Sequence, residues 1–294
     1  MRFFSLLLLL LSPLTARAAT YDEIFPNAPQ YENPAADELL RSFDYKQGKI
    51  TLPGGQVELN VPEGYYYLDP KDAAKVLVDL WGNPDGETLG MLFPSAYTPY
   101  DPGGWGATIF WDPSGYVKDD DASSINYDDL LDTMRSDAAE SNKWRREHNY
   151  PEVQLVGWAA EPYYDSRARK LHWAQELAFD GDPVHTINYF LRALGRRGVL
   201  ELNFIANIDQ LDQITAAIPE ISNIITFKEG SRYRDFMPSV DTVAAVGIGG
   251  LIAGKVVAKT GLLVVALLFL KKFFILLLLP IAWIWKKVTG RRDS

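Results

Sequence analysis

Apolar positions between residues 20 and 230 recur in two rhythms, and at both ends of the chain they fuse into nearly unbroken runs. Helical spacing predicts a short helix over Ala35–Ser42, capped by Asn33 with Pro34 in its first turn. A second helix is predicted over Lys71–Leu80. It opens at Asp69-Pro70, carries Ala74, Val76, Leu77 and Val78 inward, and stops at Trp81-Gly82-Asn83-Pro84. The longest helix is predicted over Tyr127–His148. Asn126 caps it, Asp128 and Asp129 fill its first turn, and Lys143, Arg145, Arg146 and His148 sit near its end, as the helix dipole prefers. Period-two or continuous apolar stretches predict strands at Tyr45–Leu52, Gln56–Val61, Leu89–Phe93, Ala107–Trp111, Val153–Ala159, Leu171–Phe179, Val184–Leu194 and Val199–Ile205. Pro53-Gly54-Gly55 and Gly195-Arg196-Arg197-Gly198 read as hairpin turns. Ile208–Ala217 and Ile221–Thr226 read as two helices parted by Pro219, and Tyr21–Asn33 as extended chain. Neighbouring strands joined by hairpins predict an α+β fold, a mostly antiparallel sheet with flanking helices, in one domain.

The two ends differ in kind. Arg2, the apolar run Phe3–Leu11, Pro13 and the small-x-small triplet Ala16-Arg17-Ala18 form an export signal pattern. The expected cut follows Ala18, because so short a run falls below the roughly 20 residues of a membrane span. From Val243 to Trp285 almost every residue is apolar or small. Gly261–Trp285 would be about 37 Å long as a helix, against a hydrocarbon core of about 30 Å. This predicts a C-terminal transmembrane helix. Lys271-Lys272 falls near its middle, at about 2.5–3.5 kcal/mol per lysine. Shifting the span to Val246–Leu270 moves the difficulty to Lys255 and Lys259, and a two-span hairpin would return the basic tail to the outside, against the positive-inside rule. A single pass with a cytoplasmic tail is preferred, with Trp283 and Trp285 at the inner interface. The expected organisation is a signal peptide over 1–18, an exported domain over 19–240, and an anchor and basic tail over 241–294.

Charge follows the same partition. The formal net charge of −9 averages a −18 body over residues 20–254 with a +2 leader over 1–19 and a +7 tail over 255–294. A body with 19 basic and 37 acidic residues argues against nucleic acid, whose phosphates need Lys and Arg. The absence of cysteine removes disulfides, thiolate nucleophiles and cysteine zinc sites.

The candidate chemistry is sparse. His148, His172 and His185 form no helical zinc pair, although His172 and His185, both on predicted strands, could meet across a sheet. There is no Gly-x-Ser-x-Gly elbow and no phosphate loop, and neither a metal nor a cofactor is implied. The run Asp119-Asp120-Asp121 lacks calcium-loop spacing and reads as a solvated turn before a helix. Asp119, Asp121, Glu161 and Asp165 offer the carboxylates for a hydrolytic pair. Of the body's tryptophans, Trp111, Trp158 and Trp173 read as core. Trp105, in the loop Asp101-Pro102-Gly103-Gly104-Trp105-Gly106, reads as the best exposed binding candidate. Gly250-x-x-x-Gly254 permits close helix approach and self-association.

Several phrases occur together: Trp81-Gly82-Asn83-Pro84, Leu89-Gly90-Met91-Leu92, Gly115-Tyr116-Val117-Lys118-Asp119-Asp120-Asp121-Ala122, Gly157-Trp158-Ala159 with Pro162, Tyr164 and Asp165, Leu171 with Trp173-Ala174, Asn188-Tyr189 with Leu194-Gly195-Arg196 and Gly198-Val199-Leu200, and Gly230 with Arg232-Tyr233, Asp235-Phe236 and Pro238. In this combination the chain resembles the bacterial membrane-anchored family called domain of unknown function 2167, over about residues 45–260. The resemblance implies a Gram-negative cell-envelope protein with a signal peptide, a periplasmic domain and a C-terminal anchor in the inner membrane. It carries over no catalytic residue. The expected function is a non-enzymatic binding or interaction module whose partners are membrane lipid and an envelope protein or a second copy. The alternative is an envelope hydrolase acting on glycan or peptide through the carboxylates named above.

Overall fold

A computed structural model describes residues 17–27, 31–83, 86–147 and 150–254. The predicted signal segment before Arg17, His148 and the whole of 255–294 with its predicted transmembrane helix lie outside the described residues. Among the described residues no helix is long and apolar enough to cross a membrane.

The fold is α+β, built on one large antiparallel sheet. The strands are β1 (Arg17–Ala19), β2 (Tyr45–Thr51), β3 (Val57–Val61), β4 (Tyr65–Leu68), β5 (Gly90–Pro94), β6 (Gly106–Asp112), β7 (Val153–Asp165), β8 (Lys170–Phe179), β9 (Thr186–Leu194), β10 (Val199–Asn207) and β11 (Ile225–Phe227). They follow the order β11-β3-β2-β4-β5-β6-β10-β9-β8-β7, with β1 paired to β2 off that path. The helices are α1 (Tyr21–Ile24), α2 (Pro34–Arg41), α3 (Pro70–Lys75, running on as a π-turn over Val76–Leu80), α4 (Tyr127–Glu147), α5 (Leu211–Ile224) and α6 (Ile248–Ala253).

Side-chain alternation along the strands sends residues to separate cores. On β10, Leu200, Leu202 and Phe204 face the core beneath α5, while Val199 faces the core beneath α4. On β9, Ile187, Tyr189 and Leu191 join the first of these cores and Leu194 the second. A third core gathers Tyr21, Phe25, Leu40, Tyr45, Tyr66, Val76 and Phe93 around α1, α2 and α3. It is held by edge-on aromatic pairs such as Phe25–Tyr66 and Phe25–Tyr45, with ring centroids 5.5 and 5.4 Å apart.

The sequence expectations hold for α2, α3, α4 and most strands, three depart from the structure, and one strand was not foreseen. The tyrosine run Tyr65-Tyr66-Tyr67 is strand β4, sent alternately to two cores and buried on both faces, so it shows no polar alternation. Pro219 does not break the chain into two helices. It lies inside α5, whose Ile214, Ile218, Ile221 and Ile224 bury one stripe against the sheet. Four buried isoleucines, at roughly 1.5–3 kcal/mol each, outweigh the roughly 3 kcal/mol penalty of an internal proline. The segment assigned to the second helix ends instead as strand β11, which pairs antiparallel with β3. Tyr21–Asn33 is not simply extended. Glu23 accepts a hydrogen bond from the Thr20 amide at 2.8 Å in a capping box that starts α1.

β7 ends the sheet, and its register against β8 shifts at three places between Leu155 and Tyr163. Side chains from α4 bind its backbone. Asn142 donates to the Val153 carbonyl and accepts from the Val153 amide, both at 2.9 Å, and Arg135 donates to the carbonyls of Leu155 and Val156.

The chain from Lys228 to Gly254 forms a strap over the α4 side of the sheet. Gly195 bridges to Arg232, and Tyr116 pairs in parallel with Val243 through two backbone hydrogen bonds of 2.8 Å to Thr242 and Ala244. Ile248 and Ile252 of α6 are buried in the core beneath α4. α6 then ends at Gly254, in the left-handed conformation at φ 68°, so the helix does not run on through Gly254. Within α6 a Cβ on Gly250 would lie 2.5 Å from Val246, and Gly254 is the helix terminator.

Candidate functional site

The residues of the acidic run are drawn into the junction between the strap and the sheet. Asp119 is mostly buried and accepts from Tyr164 Oη at 2.8 Å and from the Arg169 guanidinium. Tyr233 Oη, at the start of the strap, lies 2.9 Å from Asp119 Oδ1 and 2.8 Å from the Val117 carbonyl, sharing its proton between them. Partners that lie 45, 50 and 114 residues away thus converge on one carboxylate.

Local chain geometry builds this arrangement. The β7–β8 hairpin is turned by Asp165, whose Oδ1 accepts from the amides of Arg167 at 2.8 Å and Ala168 at 3.0 Å. Those amides, Ala168 first, hold the Asp165 carboxyl below its ordinary range. Arg169 follows at φ 57°, the one positive φ outside glycine among the described residues. Its guanidinium lies 4.6 Å from the Tyr233 ring centroid. Tyr116 stacks on Tyr233 at 4.4 Å and on Phe236 at 3.9 Å, closing the aromatic side. Burial pushes the phenols of Tyr164 and Tyr233 up, so both stay protonated and act as donors.

Asp121 does different work. Its two carboxylate oxygens accept from the amides of Ile248 at 2.9 Å and Gly249 at 3.0 Å, capping α6 from a loop 127 residues earlier in the chain. A Cβ on Gly247 would sit 2.5 Å from the Asp121 carboxylate, which would have to shift within this cap. Within the strap, Asp241 accepts from Arg196 Nε at 2.6 Å, from Arg197 Nε at 2.8 Å and from the Met237 amide at 2.7 Å. The Arg196 hydrogen bond, with Arg197 behind it, holds this carboxyl below the usual range.

The structure brings Asp119, Asp121 and Asp165 to this side of the molecule, each committed to hydrogen bonds that shape the chain. Glu161 stands exposed on β7. Trp105 is not exposed. It is 4% accessible, packed with ring centroids 5.7 Å from Phe204 and 6.4 Å from Tyr65. The glycines that suggested a loose loop instead let it fold tightly. Gly106 abuts the Phe93 ring, and Gln210 reaches over to donate to the Gly103 carbonyl at 2.7 Å. His172 and His185 do not meet. His172 Nδ1 pairs with Tyr189 Oη at 2.8 Å and His185 Nδ1 with Glu176 Oε1 at 2.5 Å, and burial pushes His172 below its ordinary pKa.

Two cavities are described, of about 230 Å³ beside the β2–β3 turn and about 360 Å³ between α4 and β7. The first is lined by Leu52, Val57, Trp111 and Leu200 and the second by Arg135, Asn142 and Leu155, and none of the five candidate residues lines either one.

Chemically, the Asp119 cluster is a latch. A carboxylate with two phenol donors and a guanidinium is an acceptor held in place, and it ties the strap to the β7–β8 hairpin. Asp119→Asn, which weakens the guanidinium contact and the phenol acceptors together, is expected to cost roughly 1–3 kcal/mol locally. Hydrogen exchange should show faster amides over residues 242–249 and unchanged protection in β9 and β10. Sequence reasoning did not foresee Tyr164, Arg169 or Tyr233 as partners of Asp119. The only signal available was that Gly115–Ala122, Tyr164-Asp165 and Arg232–Phe236 all belong to the phrases that carry the family resemblance.

Among solved structures, the solution structure of cyanobacterial PsbP (CyanoP) from Synechocystis sp. PCC 6803 is similar at a TM-score of 0.34 and 12% identity, covering 61% of this chain and 91% of that one. A superposition that low does not establish a shared fold. Among curated proteins nothing matches. The model of the family described as "Protein of unknown function (DUF2167)" matches residues 44–282, the β-sheet body and the strap together with most of the apolar stretch that follows, and the chain belongs to that family.

Proposed function

We propose that this protein is an exported cell-envelope domain anchored in the inner membrane by its C-terminal apolar stretch, and that it serves as a binding or interaction module. The observation that carries this reading is the strap. The chain is locked to the sheet at Tyr233, Asp241, Val243 and Ile248, α6 ends at Gly254, and in the sequence the apolar run Gly261–Trp285 begins seven positions later. A folded body is thus tied firmly to a segment whose length suits a single span. The signal pattern ending at Ala18 supports export, its removal taking Arg17 and Ala18 of β1 with it, and Lys286, Lys287, Arg291 and Arg292 support a cytoplasmic tail. The commitment of Asp119, Asp121 and Asp165 to the chain's own hydrogen bonds supports a binding role over a hydrolytic one.

Reporter fusions test the topology. Alkaline phosphatase joined after Gly254 is expected to be active, and after Ser294 inactive, with a green fluorescent protein at Ser294 bright. Active phosphatase at Ser294 overturns the single pass. Crosslinking of the tagged full-length chain in membranes, followed by purification, is expected to capture a defined envelope partner. Recovery of the uncrosslinked chain alone counts against the interaction role.

A further inference from the structure

Six large apolar residues are exposed among the described residues, and three of them, Met237, Val240 and Val243, fall within seven consecutive positions of the strap. Val240 is the most exposed of all, at 65%. Single exposed apolar residues are ordinary, whereas a cluster marks a surface that meets something. The backbone around these residues is held. The Met237 amide donates to Asp241, the Val240 amide to the Met237 carbonyl at 3.0 Å, and Val243 pairs with Tyr116. The cluster is therefore a fixed feature of the surface.

Its charge setting is unlike the rest of the body. Across the hairpin 195–198 and the strap 228–254 there are five basic residues, Arg196, Arg197, Lys228, Arg232 and Arg234, against three acidic ones, Glu229, Asp235 and Asp241. Asp241 is bound by Arg196 and Arg197, and Asp235 accepts from the amides of Gly230 and Arg232. Arg197 and Arg234 stand exposed. In the neighbouring loop Lys118 stands against Asp119, Asp120 and Asp121, with Asp119 paired to Arg169, and Lys228 of the strap is paired to Glu58 at 3.5 Å. A body of net charge −18 is thus close to neutral on this side, with the guanidinium groups of Arg197 and Arg234 exposed there. Apolar side chains rimmed by cations match the interface of an anionic bilayer. The tether fits as well: six residues lie between Gly254 and Gly261, a span of at most about 25 Å when fully extended.

We infer that Met237, Val240 and Val243, with Arg197 and Arg234 around them, form a membrane-facing surface that lays this side of the domain on anionic lipid headgroups. The inference rests on the anchored reading above. It goes beyond it by fixing which face of the domain meets the lipid.

The chain contains no cysteine, so single replacements can be labelled uniquely. Full-length Val240→Cys, Met237→Cys, Val184→Cys and Leu268→Cys variants would each carry an environment-sensitive fluorophore and be reconstituted in phosphatidylethanolamine–phosphatidylglycerol vesicles. The probes are lipids bearing a nitroxide near the headgroup and aqueous iodide. Val184, also exposed, precedes β9, away from the strap, and serves as the reference. Labels at positions 237 and 240 are expected to be quenched about twofold more by nitroxide lipid than the label at 184, because an interfacial element sits roughly 5–10 Å into the headgroup boundary. Equal quenching at 240 and 184, with strong quenching at 268, overturns this surface and leaves the anchor standing. Loss of lipid quenching at 268 overturns the anchor and this inference with it. Labels at 237 and 240 shielded from iodide yet untouched by nitroxide lipid show a protein cover, a second copy or residues 255–294, and also overturn it. Two independent exposed positions guard against one variant that misfolds.

Discussion

Gly198→Ala is expected to lower stability by about 4 kcal/mol, enough to drop the melting temperature by roughly 8–16 °C. Gly198 closes the β9–β10 hairpin at φ 156°, where its carbonyl accepts from the Gly195 amide at 2.8 Å. A Cβ placed there would lie 2.1 Å from the Asp112 carbonyl oxygen and 2.7 Å from the Trp111 ring. The first contact is with backbone at the end of β6, which is fixed by its pairing with Val199, so no side chain can swing aside. Steric overlap and an unfavourable dihedral therefore combine. Gly64→Ala is the control. Its Cβ meets nothing within 4 Å, its φ is ordinary, and the change should stay within about 0.5 kcal/mol. Thermal unfolding of the detergent-solubilised full chain, followed by tryptophan fluorescence, measures both.

The second large effect concerns a charge inside the sheet. Arg192 Nε lies 3.2 Å from Glu201 Oε1 on the adjacent strand, and Arg192 Nη1 donates to Asn203 Oδ1 at 2.7 Å. The guanidinium is 5.3 Å from the Trp173 ring centroid and 5.2 Å from that of Phe190. Both charged groups are poorly solvated: burial pushes Arg192 below its ordinary pKa and Glu201 above its own. Arg192→Met fills similar volume but strands Glu201, and should cost roughly 3–5 kcal/mol. Arg192→Met combined with Glu201→Leu removes both charges and should recover most of that loss. If the double variant unfolds as easily as the single one, the stabilisation lies in the stacking of Arg192 on Trp173 and Phe190, and the ion pair contributes little.

Local chemistry made much of this fold readable. Asn33-Pro34, Asp69-Pro70 and Asn126 each mark a helix start that the structure keeps, with side-chain caps at all three. The glycine turns at 53–55 and 195–198 fixed two hairpins and, through them, the antiparallel order. What escaped reading was set by burial on two sides or by distance along the chain. β4 carries four buried residues in a row, so it lacks the polar punctuation that identifies a strand. α5 absorbs a proline because tertiary packing, not propensity, holds it. Trp105 looked exposed because glycines flank it, and the same glycines are what allow the loop to close over it. The latch was illegible for a stronger reason. Asp119, Tyr164, Arg169 and Tyr233 have no regular spacing, and only the finished sheet and strap bring them into contact.

The irregular terminal strand β7 has a consequence for solubility at high local concentration. An open sheet this wide presents two rims, and a rim of free amides and carbonyls is a template on which another chain can add a strand. On one rim, three register shifts bend β7, while Asn142 and Arg135 occupy backbone groups at Val153, Leu155 and Val156. On the other, β11 offers only three residues. Both rims thus carry features that disfavour strand addition by another chain.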